Sequence, residues 1–220
     1  RSCAMLACLT GNVGVPGGGA GAYATRHGHL SPYFAPKENP YPGSIATFQW
    51  TRAIDAPETL SASNGLRGVE RLETGVRVIF NLASGILLNQ HSNINDTVRI
   101  LKAPDKLELL VVSDLFMTPG ARFADLLLPG VSFFEVENVV PPWMESDYLL
   151  YNQQAIEPVF GAQFEYEWIR KMAAYLGHGE DFTLGRRELA DWIRAVYEEG
   201  RQRGPERPGF GAFRARGCHV

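Results

Sequence analysis

The sharpest hydrophobic pattern lies in the middle of the chain. Residues 76–82, VRVIFNL, form a short β-rich run flanked by Gly75 and Gly85. In SNINDTVRILKA, residues 92–103, Ile94, Val98 and Leu101 recur at helical spacing, with Ser92 or Asn93 as the N-cap. KLELLVVSD, residues 106–114, predicts a second strand. TPGARFA, residues 118–124, predicts a short helix capped by Thr118, with Pro119 at its first position. DLLLPG, residues 125–130, predicts a third, very short strand. Strand, helix, strand, helix, strand at this spacing is a βαβ series, hence a parallel sheet. The expected fold class is α/β: a three-layer parallel sheet with flanking helices, nucleotide-binding-like, preceded by a Gly/Pro-rich irregular segment. Parallel strands are covered on both faces, which accounts for the lack of alternation in LELLVV.

The flanks are less regular. CAMLACL reads as the end of a buried helix, stopped by TGNVGVPGGGAGAYA, with five glycines and Pro16 between Gly11 and Gly19. Residues 20–68 show no clean period, and prolines stand at 32, 36, 40 and 42. This stretch reads as a wandering surface segment or a mobile loop, with Tyr41, Phe48 and Trp50 packing against something. Residues 164–177 predict a helix with Gly177 as its stop, and residues 186–200 another, ended by Gly200. The organisation expected is one α/β domain over residues 1–205, loop-rich over 11–68, and a polar Gly/Pro-rich linker over 206–220.

Composition narrows the class. The chain has 220 residues, enough for one sizeable core. Hydrophobic content of 45% and charged content of 20% read as globular. The net charge of −3 gives no basic field, so no nucleic-acid partner is expected. No apolar stretch reaches about 18 residues, so no transmembrane helix is expected. No signal-peptide pattern is read either. The chain opens on Arg1 in mid-helix character, and a segment of a longer protein is expected. The three cysteines, Cys3, Cys8 and Cys218, make no disulfide framework and no CxxC pair. Cys3 and Cys8, five apart, would stand about 140° apart on a helix and pack separately as small hydrophobes.

In an open parallel sheet, ligands bind outside the carboxyl ends of the strands. Two loops reach that edge, NLASGILLNQHSN and SDLFMT. Asp114 ends the second strand, where a carboxylate can accept the paired N–H donors of a guanine. It can equally cap the following turn, and spacing alone does not choose. Asn81, Ser84, Asn89 and Gln90 add neutral polar groups, and His91 lies in the same loop. Asp125 caps or pairs with Arg122, and Glu135 and Glu137 approach the same edge without an identifiable nucleophile. GNVGVPGGGAG is no Walker loop, and GGGAGA follows no strand, so neither phosphate fingerprint is met. His27 and His29 have no ligand partner at metal spacing. No nucleophile elbow appears.

Three motifs resemble one family in order and spacing. LACLTGNVGVPGGG resembles the helix and triple glycine of the molybdopterin oxidoreductases. NLASGILLNQHSNIN resembles their strand-end polar loop. LLVVSDLFMTPGARFADLLLPGVSFFE resembles their strand, Asp, Thr, Ala-Asp, Leu-Pro and Glu signature. Together these cover about residues 4–177. YNQQAIEP, residues 151–158, is similar to a segment of the anaerobic dimethyl sulfoxide reductase type.

The resemblance implies a bis(molybdopterin guanine dinucleotide) cofactor with molybdenum, whose guanosine end this α/β unit grips. It implies oxo transfer on a small S-oxide, N-oxide or oxyanion by a larger catalytic subunit. Cofactor contacts carry over to Ser113, Asp114 and Thr118, to Asn81, Ser84 and Gly85, and to Gln90 and His91 in the first loop. Glu135 stands where many members carry a Lys-bearing stretch. The family's Asn near the centre of the first loop is replaced by LASG. Implied partners are the rest of the catalytic subunit, which carries an iron–sulfur cluster, an iron–sulfur electron-transfer subunit and a membrane anchor. The implied location is periplasmic or membrane-associated through those partners, and this chain alone is expected to be inactive. Two other readings stand beside this one: a cofactor-free scaffold with the same fold, and an unrelated α/β enzyme such as a nicotinamide dehydrogenase.

Overall fold

A computed structural model describes residues 2–18, 42–89, 93–141, 148–203 and 206–220. In chain order the elements begin with helix α1 (Ser2–Leu9), strand β1 (Ser44–Ile45), helix α2 (Trp50–Asp55) and strand β2 (Leu66–Arg67). Strand β3 (Val78–Leu82), helix α3 (Ile94–Lys102) and strands β4 (Leu109–Asp114) and β5 (Leu126–Pro129) follow. Strands β6 (Asn138–Val140) and β7 (Leu149–Asn152) precede helices α4 (Glu165–Tyr175), α5 (Gly179–Thr183), α6 (Leu189–Arg203) and α7 (Phe210–Arg216), then strand β8 (Cys218–His219). The chain divides into two compact units. One comprises Ala35–Asn138 and Asn152–Ile193, the other Arg1–Phe34, Val139–Tyr151 and Arg194–Val220.

The first unit carries the parallel sheet, in the order β3-β4-β5. Phe80 pairs with Val111 and Leu82 with Ser113, while Ser113 pairs with Leu128 and Asp114 with Pro129. This is the expected α/β architecture. The central strand is buried on both faces: Leu110, Val111, Val112 and Ser113 are at most 2% exposed. On one face Leu110 and Val112 pack with Leu87 and Ala121, joined by Trp50, Ile79, Leu101 and Phe123. Burying each such side chain stabilises the fold by roughly 1.5–3 kcal/mol. Asp125 accepts the Leu110 N–H at 2.8 Å, so it ties β4 to the start of β5 rather than pairing with Arg122. The outer strands depart from expectation. Val78, Phe80 and Leu82 of β3, and Leu126 and Leu127 of β5, remain exposed on the chain as described. A strand at a sheet edge has a neighbour on one side only, and Trp168 of α4 stacks over Phe80 alone, at 6.1 Å between ring centroids.

Local chemistry explains the helices and several departures. The α3 helix buries Thr97 and Ile100, and Arg99 and Lys102 stand in its last turn, where the helix dipole favours cations. Arg99 also reaches Asp55 at 2.7 Å and, with Lys106, holds that carboxyl below its ordinary range. Asn93 fills the N-cap position in a left-handed conformation but makes no side-chain cap. The expected helix over 118–124 is only a 3-10 turn, Ala121–Phe123. Thr118 Oγ1 does accept the Ala121 N–H at 3.2 Å. Within the stretch read as loop-rich, β1 pairs antiparallel with β2, and Ala53, Leu60 and Leu66 form a small core of their own. Trp50 packs as expected, Phe48 is exposed, and Tyr41 lies outside the described residues.

The second unit is built on aromatics. Tyr197 and Phe213 are fully buried and stacked at 4.4 Å, and Tyr151 meets Phe213 edge-on at 6.0 Å. Tyr197 donates to the Pro208 carbonyl at 2.7 Å. Here three expectations fail. Residues 206–220, read as a linker, contain α7 and β8, and β8 pairs with β7 through Leu149–His219 and Leu150–Cys218. Gly200 does not end its helix: it is buried inside α6, which continues to Arg203. The α1 helix is not buried: Met5 and Leu6 are 62% exposed and Leu9 81%, and all three cysteines are exposed. Among the described residues no helix is long and apolar enough to cross a membrane.

Candidate functional site

The carboxyl edge of the sheet carries several of the predicted residues: Asn81, Ser84 and Gly85 in or after β3, and Asp114 and Thr118 at and after the end of β4. After β3 the chain turns at Ala83, whose φ of 44° is left-handed and unfavourable for a side-chain-bearing residue by roughly 1–2 kcal/mol. Two bonds hold the turn. The Ala83 N–H donates to the Ser113 carbonyl at 2.8 Å, and the buried Asn81 amide donates to the Ser84 carbonyl at 2.8 Å. Ser84 Oγ then accepts the Ile86 N–H at 3.2 Å, and the Asn89 N–H closes on the Gly85 carbonyl at 2.8 Å. Asn81 and Ser84 therefore shape the loop from below.

At the end of β4, Asp114 is partly exposed. Its Oδ1 accepts the Phe116 N–H at 3.2 Å, and its carbonyl accepts the Gly130 N–H at 3.1 Å. The turn-cap role is thus present. A carboxylate offers about four lone-pair sites, so one N–H does not exhaust it. By strand alternation Asp114 lies on the same face as Leu110 and Val112.

On that face the two loops enclose a cleft of about 370 Å³, lined by Gly85, Leu88, Asn89, Ile94, Thr118, Pro119 and Gly120. Its walls are mostly apolar, with one amide and one hydroxyl. A Cβ on Gly120 would come within 3.2 Å of Leu87 and crowd it, whereas one on Gly85 would meet Asn89 at 3.4 Å, an ordinary contact. Of the predicted residues, Gly85, Asn89 and Thr118 line this cleft; Asp114, at the end of β4, is not among its lining residues. Leu88, Ile94 and Pro119 were not singled out as site residues: apolar residues at a site resemble core or helix positions in sequence. Gln90 and His91, like His27 and His29, lie outside the described residues.

Two predicted contacts have other duties. Ser113 is fully buried, and its hydroxyl donates to Glu165 Oε1 at 3.0 Å. Glu135 lines a separate cleft of about 370 Å³. It is 6% exposed, with Oε2 accepting the Ser132 N–H at 2.7 Å and Oε1 the Val159 N–H at 2.8 Å. These backbone donors, Ser132 first, hold its carboxyl below its ordinary value. Both oxygens are thereby committed to fastening the turn after β5.

In an open parallel sheet the carboxyl ends of the strands are the edge where ligands bind, and Asp114 ends the central strand at that edge. The molybdopterin oxidoreductase family model matches residues 1–175, and the chain belongs to that family. It is 40% identical over 223 residues to dimethyl sulfoxide reductase DmsA of Escherichia coli (strain K12), covering 99% of this chain and 27% of that protein. It is 31% identical to the dimethyl sulfoxide/trimethylamine N-oxide reductase of Rhodobacter capsulatus, over 96% of this chain and 28% of that protein. The chain thus spans about a quarter of the length of these relatives. Acetylene hydratase from Pelobacter acetylenicus shares the fold, with a TM-score of 0.57 at 24% identity over 78% of this chain and 20% of that one.

Proposed function

We propose that this chain serves in the catalytic subunit of a molybdenum oxidoreductase, where it binds a guanosine end of bis(molybdopterin guanine dinucleotide). The observation that carries this reading is the partly exposed Asp114 at the end of β4, a strand buried on both faces. Guanine presents N1–H and N2–H₂ side by side, and a carboxylate accepts both. The donor set fits the group. Leu88, Ile94 and Pro119 offer apolar walls to a flat base, and Asn89 and Thr118 offer polar groups at the rim. When bound, the cofactor supplies two-electron oxo-transfer chemistry at molybdenum.

The chain's own residues do the holding. Asp114 accepts from the base, Gly120 leaves room for Leu87, and Asn81 and Ser84 fix the loop that forms the cleft wall. The relatives' names point to dimethyl sulfoxide or an N-oxide as substrate of the whole enzyme. Its partners on this reading are the remainder of the catalytic subunit with an iron–sulfur cluster, an iron–sulfur electron-transfer subunit and a membrane anchor. The location is periplasmic or membrane-associated through them.

The test is molybdenum content and acid-released guanine in the full-length enzyme, wild type beside Asp114→Ala. Losing charge-assisted hydrogen bonds costs about 1.5–3 kcal/mol, so cofactor retention is expected to weaken roughly tenfold or more. A metal-free, guanine-free wild type with an indifferent variant would favour the scaffold reading, with Asp114 as a turn cap only.

A further inference from the structure

Ser113 and Glu165 stand 52 residues apart and form a side-chain pair next to the candidate site, with Ser113 buried and Glu165 half-buried. Ser113 lies at the junction of several elements. Its carbonyl takes the Ala83 N–H from the first loop, and its neighbour's carbonyl takes the Gly130 N–H from the end of β5. A Cβ on Gly130 would lie 3.5 Å from Ser113 Oγ and 3.4 Å from the Asp114 carbonyl carbon, so the chain passes close over this point. From the opposite face Glu165, in the first turn of α4, accepts the Ser113 hydroxyl. A carboxylate is favoured at a helix amino terminus, and a hydrogen bond to a charged group is stronger than a neutral one.

Successive side chains of a strand point to opposite faces. Holding Ser113 down against α4 therefore sets the direction in which Asp114 leaves the strand. We infer that Glu165 is a positioning residue for the nucleotide end of the cofactor, aiming the Asp114 carboxylate through Ser113 without touching the ligand. This rests on the reading of Asp114 given above. It takes the Ser113 side chain out of the ligand contacts and gives it the role of a relay.

The experiment follows guanine released per enzyme after dilution and washing of the full-length holoenzyme. It compares wild type, Asp114→Ala, Ser113→Ala, Glu165→Ala, Glu165→Gln and the Ser113→Ala/Glu165→Ala double variant. Ser113→Ala and Glu165→Ala are each expected to speed guanine loss roughly fivefold to tenfold, and the double variant no further, because coupled partners are not additive. Glu165→Gln keeps an acceptor oxygen and is expected to stay within about twofold of wild type. Trp168→Leu, which disturbs the stacking of the same helix on Phe80, controls for loosened packing. It is expected to lower the unfolding temperature while leaving guanine retention unchanged. Additive losses, a Glu165→Gln as poor as Glu165→Ala, or equal guanine loss in Trp168→Leu would each overturn the proposal. If Asp114→Ala loses guanine and Glu165→Ala does not, the positioning role falls alone. If Asp114→Ala keeps its guanine, the reading of the site falls and takes this role with it. Should Glu165→Ala give no soluble enzyme, Ser113→Ala decides: wild-type retention there overturns the proposal.

Discussion

Strand β4 and helix α1 are both apolar, and they meet opposite fates. In β4, Leu110, Val111 and Val112 are at most 2% exposed; in α1, Met5, Leu6 and Leu9 are 62–81% exposed. Composition does not distinguish them. What differs is that β4 has strands on both sides and packed side chains on both faces, whereas α1 presents its apolar side chains to the surface of this chain. Even a carboxylate is buried near the sheet, because two backbone N–H groups meet Glu135. Burial therefore follows the presence of a partner surface with matching hydrogen-bonding groups, and hydrophobicity only states the demand for one.

The largest test of this contrast is a charge placed in the strand. Val112→Asp is expected to cost upwards of about 3 kcal/mol, since an unpaired buried charge has no compensating partner. Loss of soluble protein, or a large fall in the urea midpoint of the full-length protein, is the reading; a wild-type midpoint would remove β4 from the core. A smaller effect concerns Glu135. Its folded carboxyl titrates below its ordinary value of 4.5, so it contributes stability above that pH. That contribution is lost as pH falls through the lowered folded value. The urea midpoint is expected to fall below about pH 4.5, and Glu135→Gln to flatten that part of the profile while lowering the plateau near neutral pH. An unchanged acid limb in the variant would assign the fall to other carboxylates. The smallest effect is expected for Leu6→Asp in α1, within about 0.5 kcal/mol in this chain, as for exposed positions generally. A large loss there would mean that α1 is covered in the full-length protein, and the contrast would then belong to the chain as isolated.

The sheet was legible because its strands are short, its turns carry glycine and proline, and the βαβ spacing admits one hand of connection. KLELLVVSD as a strand and Gly177 as a stop read correctly from local chemistry, whereas the helix that Thr118 was to cap shrinks to the turn Ala121–Phe123. The α2 helix was not legible: WTRAID is too short for a period, and its Ala53 is buried by Leu60 and Leu66, residues outside it. RQRGPERPGFGAFRARG looked like a linker because its glycines and prolines outnumber its apolar residues. Yet Phe213, stacked on Tyr197, and Phe210, tilted against the same ring, anchor α7, and Gly217 closes it with a φ of 74°. Gly200 looked like a stop and is instead a small residue buried within α6.

For the site, sequence alone determined that Asp114 ends the buried strand and that two polar loops share its edge, because strand polarity and connection length dictate that edge. The motifs in those loops were enough to place the chain among the molybdopterin oxidoreductases. Tertiary structure decided which of these residues face a cleft. Thr118 and Gly85 line it, while Ser113 turns to Glu165 and Glu135 to the Ser132 and Val159 amides. The reason is physical. A polar side chain takes whichever donor or acceptor the fold brings within about 3 Å, and for Ser113 that partner lies 52 residues further along the chain.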